Sequence, residues 1–142
     1  MKTIKFKLMM LAYIFIAITA CETEDNSTTP DTVATVKDGK WKITLYNDSG
    51  KDETSNFTGY EFSFIASGAL QAIKSTTTIE GTWSLGTDDS QKKLILDFST
   101  KVPFDKLNDD WHLKTETSTK IELEDISGGN GGTDLLTFEK VQ

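Results

Sequence analysis

Apolar and polar residues alternate along most of the chain after residue 33, which is the period of a strand with one buried face. The first such segment, residues 41–46, divides into an apolar face of Trp41, Ile43 and Leu45 and a polar face of Lys42, Thr44 and Tyr46. The same alternation predicts seven further strands, at residues 60–65, 69–74, 79–85, 94–98, 111–117, 120–125 and 135–141.

Short breaks rich in glycine, serine and aspartate separate these strands, as tight antiparallel turns require. Residues 67–68 and 86–90 are two such breaks. Residues 102–110 contain Pro103, Phe104 and Leu107 at a spacing that permits one short helical turn. The sequence therefore predicts an all-β domain, an eight-stranded antiparallel up-and-down barrel with at most one short helical turn. A β-sandwich is the alternative, but closure into a barrel removes exposed strand edges.

A Gly-x-Trp pattern occurs twice among the predicted strands. Gly39-Lys40-Trp41 opens the first strand, Gly81-Thr82-Trp83 lies in the fourth, and Leu136-Thr137-Phe138-Glu139-Lys140 lies near the end of the chain. The opening resembles that of lipocalins, and residues 38–142 resemble the small lipocalin-like lipoproteins of Bacteroidetes. The resemblance implies a lipocalin-like barrel that binds one small apolar or amphipathic molecule.

The chain departs from lipocalins at two points. Lipocalins pack an arginine of the last strands across the first-strand tryptophan. This chain has no arginine, and Lys140 is only an approximate replacement for it. Its strands are also short for a carrier of a bulky ligand. Both departures concern ligand carriage and leave the expected fold unchanged.

The first 20 residues have the composition of an export signal. Lys2, Lys5 and Lys7 precede an apolar run at residues 8–18, and small residues follow it. Because a membrane-spanning helix needs about 20 apolar residues, a transmembrane segment is the weaker interpretation.

The signal ends in Ile18-Thr19-Ala20-Cys21, which resembles the lipobox of bacterial lipoproteins. We expect cleavage before Cys21 and attachment of lipid to its side chain, which makes the membrane a partner. An ordinary secretory signal with an incidental cysteine is the alternative. Because Cys21 is the only cysteine, a disulfide framework and a thiolate metal cluster are excluded.

Residues 21–32 contain no large apolar side chain and are predicted to form an acidic flexible tether. Their first acids resemble the signal that sends many Bacteroidetes lipoproteins to the outer face of the outer membrane, although a solvated linker has the same composition. Asp31-Thr32-Val33 resembles the short O-glycosylation motif of that phylum, which would place a sugar on Thr32; an unmodified linker is the alternative. The remaining 110 residues, 33–142, suit one domain.

The net charge of the chain restricts the classes of partner that it is expected to bind. The chain carries 15 lysines and 22 acids, and loss of residues 1–20 with their three lysines changes the formal charge from −7 to −10. A strongly acidic domain is repelled by nucleic acid and by anionic headgroups. The lack of arginine also removes the planar group that proteins prefer for binding phosphate. Nucleic acid is therefore not an expected partner.

Candidate catalytic and metal-binding residues are few. His112, the only histidine, is expected to face solvent between Trp111 and Leu113, and no nucleophile motif accompanies it. The acid pairs Asp88-Asp89 and Asp109-Asp110 can in principle act as acid and base, but they fall where turns are predicted. The glycine-rich loop at residues 128–134 resembles one copy of a calcium-binding repeat, and such sites form between stacked copies. The sequence therefore predicts no catalytic residue, metal or cofactor.

One set of bulky aromatic residues lies on the predicted inward faces and is either a packed core or the lining of a pocket. The set consists of Trp41, Phe62, Phe64, Trp83, Phe98, Trp111 and Phe138. The favoured function is a non-enzymatic, lipid-anchored lipocalin-like barrel at the cell envelope that binds a small apolar or amphipathic molecule in such a pocket. A solid core implies an interaction module that contacts another envelope protein or a glycan through loops at residues 48–58 and 127–133.

Overall fold

The computed structural model of the protein describes residues 31–126 and 132–142. Nine of the twelve described elements are strands; one short helix precedes them and two 3₁₀ turns lie in the connections between them. The strands are β1 (Trp41–Asp48), β2 (Lys51–Asp52), β3 (Glu61–Phe64), β4 (Ala69–Lys74), β5 (Thr77–Asp88), β6 (Gln91–Asp97), β7 (Asp109–Glu116), β8 (Lys120–Ile126) and β9 (Thr133–Lys140); the helix is α1 (Thr32–Lys37), and 3₁₀ turns lie at Thr54–Phe57 and Phe104–Leu107.

The strands form one antiparallel sheet that closes on itself. From β3 to β9 each strand pairs with the next along the chain, and β1 pairs with both β3 and β9. The two-residue strand β2 only extends the edge of β1. The closed barrel thus has eight strands in up-and-down order, which confirms the predicted fold class, and all eight predicted strands are present.

A β-bulge in β1 reverses the faces of two residues. The pairing of β1 with β9 shifts between Ile43 and Leu45, so the alternation of side chains changes phase there. Tyr46, expected on the polar face, is buried in the core, whereas Leu45, expected inward, lines an outer cleft with Lys114. The predicted faces are therefore correct up to Ile43 and wrong for Leu45 and Tyr46.

The described residues contain three short helical segments, whereas the sequence predicted at most one short helical turn. The turn expected within residues 102–110 is present at Phe104–Leu107, but α1 and the turn at Thr54–Phe57 were not expected. Helix α1 begins where the Asp31 carboxylate accepts a hydrogen bond from the Val33 amide at 3.1 Å. Burial of Thr32 and Val36 against the barrel stabilises α1 more than its β-branched sequence does. The described residues contain no helix long and apolar enough to cross a membrane.

The folded region also begins earlier than the predicted boundary at residue 33. Asp31 is the N-cap of α1 and Thr32 is its first residue, with only 3% of its surface exposed. The last two residues assigned to the tether therefore belong to the domain. The predicted signal, Cys21 and the rest of the tether lie outside the described residues.

Both Gly-x-Trp glycines have a steric reason. Gly39 has φ +88°, and a Cβ there would come 2.8 Å from the side chain of Lys140. Gly81 lies so close to the neighbouring strand that a Cβ would come 2.6 Å from the Asp97 carbonyl oxygen and 2.7 Å from the Phe98 ring. The pattern that suggested the family resemblance thus marks two places where the backbone needs glycine.

The barrel has two distinct ends. The helix end consists of α1 and the turns at residues 65–68, 89–90 and 117–119, which follow β3, β5 and β7. The acidic end consists of β2, both 3₁₀ turns and the opposite termini of the strands, and it carries the carboxylates of Asp48, Glu53, Asp109, Asp125 and Asp134.

Candidate functional site

The seven aromatic residues singled out in the sequence come together inside the barrel. Each is at most 8% exposed. Phe62 lies at the centre of the group, with its ring centroid 5.4 Å from that of Phe138, 6.4 Å from Phe98 and 6.2 Å from Phe104. Phe64 contacts both Trp83 and Phe138 at 5.6 Å. These edge-to-face and tilted contacts are those of a packed aromatic core.

Each tryptophan indole holds one of the segments that cover the barrel. The indole Nε1 of Trp41 donates to the carbonyl oxygen of Val36 in α1, and that of Trp83 donates to Ile65 in the β3–β4 turn. The indole of Trp111 donates to Leu107 in the second 3₁₀ turn, and all three donor–acceptor distances are 2.9 Å. The side chains that fill the core therefore also fix the covering segments.

The acidic end is covered by the two 3₁₀ turns. Phe57 of the first turn stacks edge-on against Phe104 of the second at 5.5 Å, and both rings are buried. The Tyr46 hydroxyl donates to the Lys106 carbonyl oxygen at 2.9 Å. Burial, with several nearby carboxylates, raises the pKa of Tyr46 far above its ordinary value, so the hydroxyl remains a donor. Phe57 lies within the predicted interaction loop at residues 48–58, so part of that loop is core.

An ion-pair network joins the two turns. The buried Glu53 carboxylate binds Lys106 at 2.5 Å and Lys51 at 2.6 Å, and Lys106 also reaches Asp48 at 3.4 Å. Hydrogen bonds from Lys106 and then Lys51 lower the pKa of Glu53. Sequence reasoning missed this network, because Glu53 and Lys106 lie in separate loops and no spacing relates them.

Three carboxylates approach one another at the start of β7 and the end of β8. Oxygen atoms of Asp109, Asp110 and Asp125 lie within 4.8 Å of one another, and such oxygens suit Ca²⁺ or Mg²⁺. Partial burial and the charge of Asp125 raise the pKa of Asp109. Asp110 instead binds Lys93 at 2.6 Å, which lowers the pKa of Asp110. Asp109 and Asp110 are strand residues, so the expectation that they lie in a turn is wrong.

Lys93 lies between members of the two acid pairs on the outer face. Its ammonium binds Asp110 and, at 3.2 Å, Asp88, and the whole residue is only 9% exposed. His112 pairs with Lys93 across β6 and β7 and is half-buried on the face opposite Trp111. His112 also lines an outer cleft of about 400 Å³ with residues that include Lys114 and Glu124.

Thr32 lies at the helix end in a polar contact. Its hydroxyl donates to Glu116 at 2.7 Å and is 3.4 Å from the Lys92 ammonium. It also lines a cleft of about 240 Å³ between α1 and the β5–β6 hairpin. In the folded domain this hydroxyl is therefore engaged rather than exposed, and glycosylation of Thr32 stays a prediction. The predicted lipidation residue Cys21 and residues 128–131 of the glycine-rich loop lie outside the described residues.

These features define an all-β protein with a closed eight-stranded barrel and an aromatic core. No family model matches the chain, and no curated protein matches it. The chain is similar to a DUF4847 family protein from Bacteroides vulgatus ATCC 8482 of known crystal structure. The two share 15% sequence identity at a TM-score of 0.49, over 75% of this chain and 94% of that one.

Proposed function

We propose that the protein is a non-enzymatic lipoprotein of the cell envelope that acts through its outer surface, by contact with another envelope protein or a glycan. It is attached to the outer membrane by lipid on Cys21. Its barrel is a solid support for that surface and carries no ligand inside. Of the two functions that the sequence left open, this one is the interaction module.

The filled interior supports this proposal most directly. Five of the seven aromatic side chains assigned to core or pocket lie edge to face at centroid distances of 5.4 to 6.4 Å, namely Phe62, Phe64, Trp83, Phe98 and Phe138, and Phe62 and Phe138 have no exposed surface. Rings in such contact leave no room between them for a further molecule. A carrier of the lipocalin kind needs an open volume there.

The coverage of both barrel ends also favours an interaction module over a ligand carrier. Helix α1 covers one end, held by the Trp41 indole, and the two 3₁₀ turns cover the other, held by Trp111 and Tyr46. A ligand that entered at either place would have to displace buried side chains such as Val36 or Phe57. Entry of a ligand therefore costs more than it would in an open barrel.

A non-enzymatic role is supported by the ion pairing of one acid from each candidate pair. The carboxylates of Asp88 and Asp110 share the Lys93 ammonium, and Glu53 is held between two lysines. The ion pairs lower the pKa of Asp110 and of Glu53 and hold both carboxylates in place, whereas a general acid needs a proton at neutral pH. His112, the candidate base, lies on the outer face beside Lys93.

Titration with an apolar fluorescent probe tests the filled barrel. We expect wild-type protein without its signal to give no saturable signal with the probe or with a competing fatty acid, whereas a ligand-carrying lipocalin should give both under the same conditions. Saturable binding that a fatty acid displaces would overturn the solid-core proposal.

Photo-crosslinking in the native envelope tests the contact itself. A crosslinking residue at Ser55, exposed in the first 3₁₀ turn, should give one adduct of defined mass, and the same residue at Thr82 on the outer face of β5 is the matched control. If neither position, nor others along residues 48–58, gives a defined adduct, the proposed contact through this loop is wrong.

A further inference from the structure

The two ends of the barrel differ in their balance of charge and in where the chain enters. At the helix end the carboxylates are matched by as many lysines, namely Asp31, Asp38, Asp88, Asp89 and Glu116 beside Lys37, Lys40, Lys92, Lys120 and Lys140, whereas at the acidic end carboxylates outnumber lysines. Asp31, the first described residue, lies directly before α1, so the chain reaches the described part of the domain at the helix end. Exposed apolar side chains lie at the same end: Val33 on α1 and Ile65 in the β3–β4 turn are each 37% exposed, and Ala34 and Ala66 beside them are exposed too. The acidic end lies at the opposite termini of the strands.

The segments that present these apolar residues are held in place by buried contacts. The carbonyl oxygen of Ile65 accepts the indole hydrogen bond of Trp83, and Ile65 also pairs with Ala69 across the turn. Helix α1 is held by the fully buried Val36 and by the Thr32–Glu116 hydrogen bond. Val33 and Ile65 are therefore displayed on a fixed surface.

The length of the connection to Cys21 favours the helix end as the one that faces the membrane. Nine residues, 22–30, connect Cys21 to Asp31, and nine fully extended residues span about 30 Å. The eight residues of β1 are about 26 Å long. To place the acidic end on the bilayer, the connecting residues would have to run along the whole side of the barrel.

Charge opposes the same arrangement. The acidic end also exposes apolar side chains, Val102 at 79% and Ile126 at 60%, but Ile126 follows Asp125 in a group of carboxylates. Moving those carboxylates against a bilayer would remove water from charged groups, which is costly. Partial burial, together with the charge of Asp125, already raises the pKa of Asp109.

We propose that the helix end rests on the bilayer surface, with Val33 and Ile65 in the headgroup region, and that the acidic end points away from the membrane. This rests on the proposed lipid anchor at Cys21. A short connection keeps the helix end at an effective concentration near the millimolar range at the surface, so two small apolar contacts suffice to bias the orientation. The surface available to a partner is then the acidic end and the barrel wall.

A unique thiol makes this orientation measurable. The side chain of Cys21 is consumed by the lipid, so a cysteine introduced elsewhere is the only free thiol. Ala66→Cys reports on the helix end, and Val102→Cys, in an exposed loop of the acidic end, is the matched control. Each lipidated full chain is labelled with a fluorophore and placed in phosphatidylcholine vesicles that contain a nitroxide-labelled lipid.

We expect the nitroxide lipid to quench the label at residue 66 at least twice as strongly as the label at residue 102. The double substitution Val33→Glu and Ile65→Glu should reduce the quenching at residue 66 toward that at residue 102. Equal quenching at both sites, or stronger quenching at residue 102, would overturn the orientation. Unchanged quenching in the double variant would overturn the apolar contact. Flotation of the vesicles separates these results from a failed anchor, since protein without lipid on Cys21 does not float.

Discussion

Replacing Phe62 by alanine is the most direct test of a filled barrel. Phe62 has no exposed surface, and its ring contacts the rings of Phe98, Phe104 and Phe138. Its removal leaves a gap bordered by aromatic side chains of β9, the second 3₁₀ turn and the segment after β6. Because β3 is paired on both edges, the backbone has little freedom to close that gap.

The expected loss of stability has three parts. Full burial of a phenylalanine side chain contributes about 1.5 to 3 kcal/mol through transfer from water, and each lost aromatic contact adds about 0.5 to 1.5 kcal/mol. A cavity that does not collapse adds about 24 cal/mol per Å³. These parts overlap, and measured Phe→Ala substitutions in cores cost about 3 to 5 kcal/mol. With three ring contacts, Phe62→Ala should fall in the upper half of that range.

Urea denaturation followed by tryptophan fluorescence measures this loss, and the midpoint should fall without a change in slope. The melting temperature should fall by about 15 to 30 °C for a domain of this size. Phe62→Leu, which keeps most of the volume, is the control and should cost less than about 2 kcal/mol. A loss below about 1 kcal/mol for Phe62→Ala would mean that space already surrounds the ring, and the solid-core argument would be wrong. If the variant folds, its dry cavity should bind benzene or xenon, as apolar cavities do, and wild type should not.

Three other predictions concern the anchor, the folded boundary and the acidic end. Cys21→Ser should abolish labelling by radioactive palmitate and release the protein from the membrane fraction; equal labelling of both proteins would refute the anchor. Deletion of residues 22–30 should leave the melting temperature unchanged, whereas deletion of 22–36 should lower it clearly, because Val36 and the hydrogen-bond acceptor of Trp41 are lost; equal melting temperatures would mean that α1 is not part of the fold. Asp109→Asn should raise the melting temperature at pH 7 by a few degrees and leave it unchanged near pH 3. The pKa of Asp109 is raised in the folded state, so its contribution to stability is present below the unfolded value of about 3.9 and lost as pH rises through the folded value. If the difference in melting temperature between wild type and variant is the same at pH 3 as at pH 7, the raised pKa of Asp109 is not its cause.

The alternation of apolar and polar residues was sufficient to predict the strands but not the face on which every side chain lies. In β5 and β6 the inward residues Trp83, Leu94 and Leu96 follow the period-two rule without interruption, and all three are buried. In β1 the bulge after Ile43 shifts the phase by one residue. A bulge depends on how two distant strands fit together, so the local sequence does not reveal that Tyr46 faces inward and Leu45 outward.

The short helical segments and the ion pairs were harder to predict for a related reason. Helix α1 has a β-branched sequence with little intrinsic preference for a helix, and it forms because the barrel offers a surface for Thr32 and Val36. The first 3₁₀ turn forms where Phe57 covers the acidic end. Glu53–Lys106 joins positions 53 residues apart, and Lys93 joins one member of each acid pair. Such pairings depend on which segments lie side by side, so they can be predicted only after the order of the strands in the sheet is known.

The three tryptophans are natural reporters of local opening. Each indole N–H is bonded to a different covering segment, namely α1, the β3–β4 turn and the second 3₁₀ turn. Hydrogen exchange of the three indole protons, resolved by NMR, would therefore measure how often each segment lifts away while the barrel stays closed. If the acidic end opens before global unfolding, the Trp111 indole should exchange first; if the helix end opens first, the indoles of Trp41 and Trp83 should exchange ahead of that of Trp111.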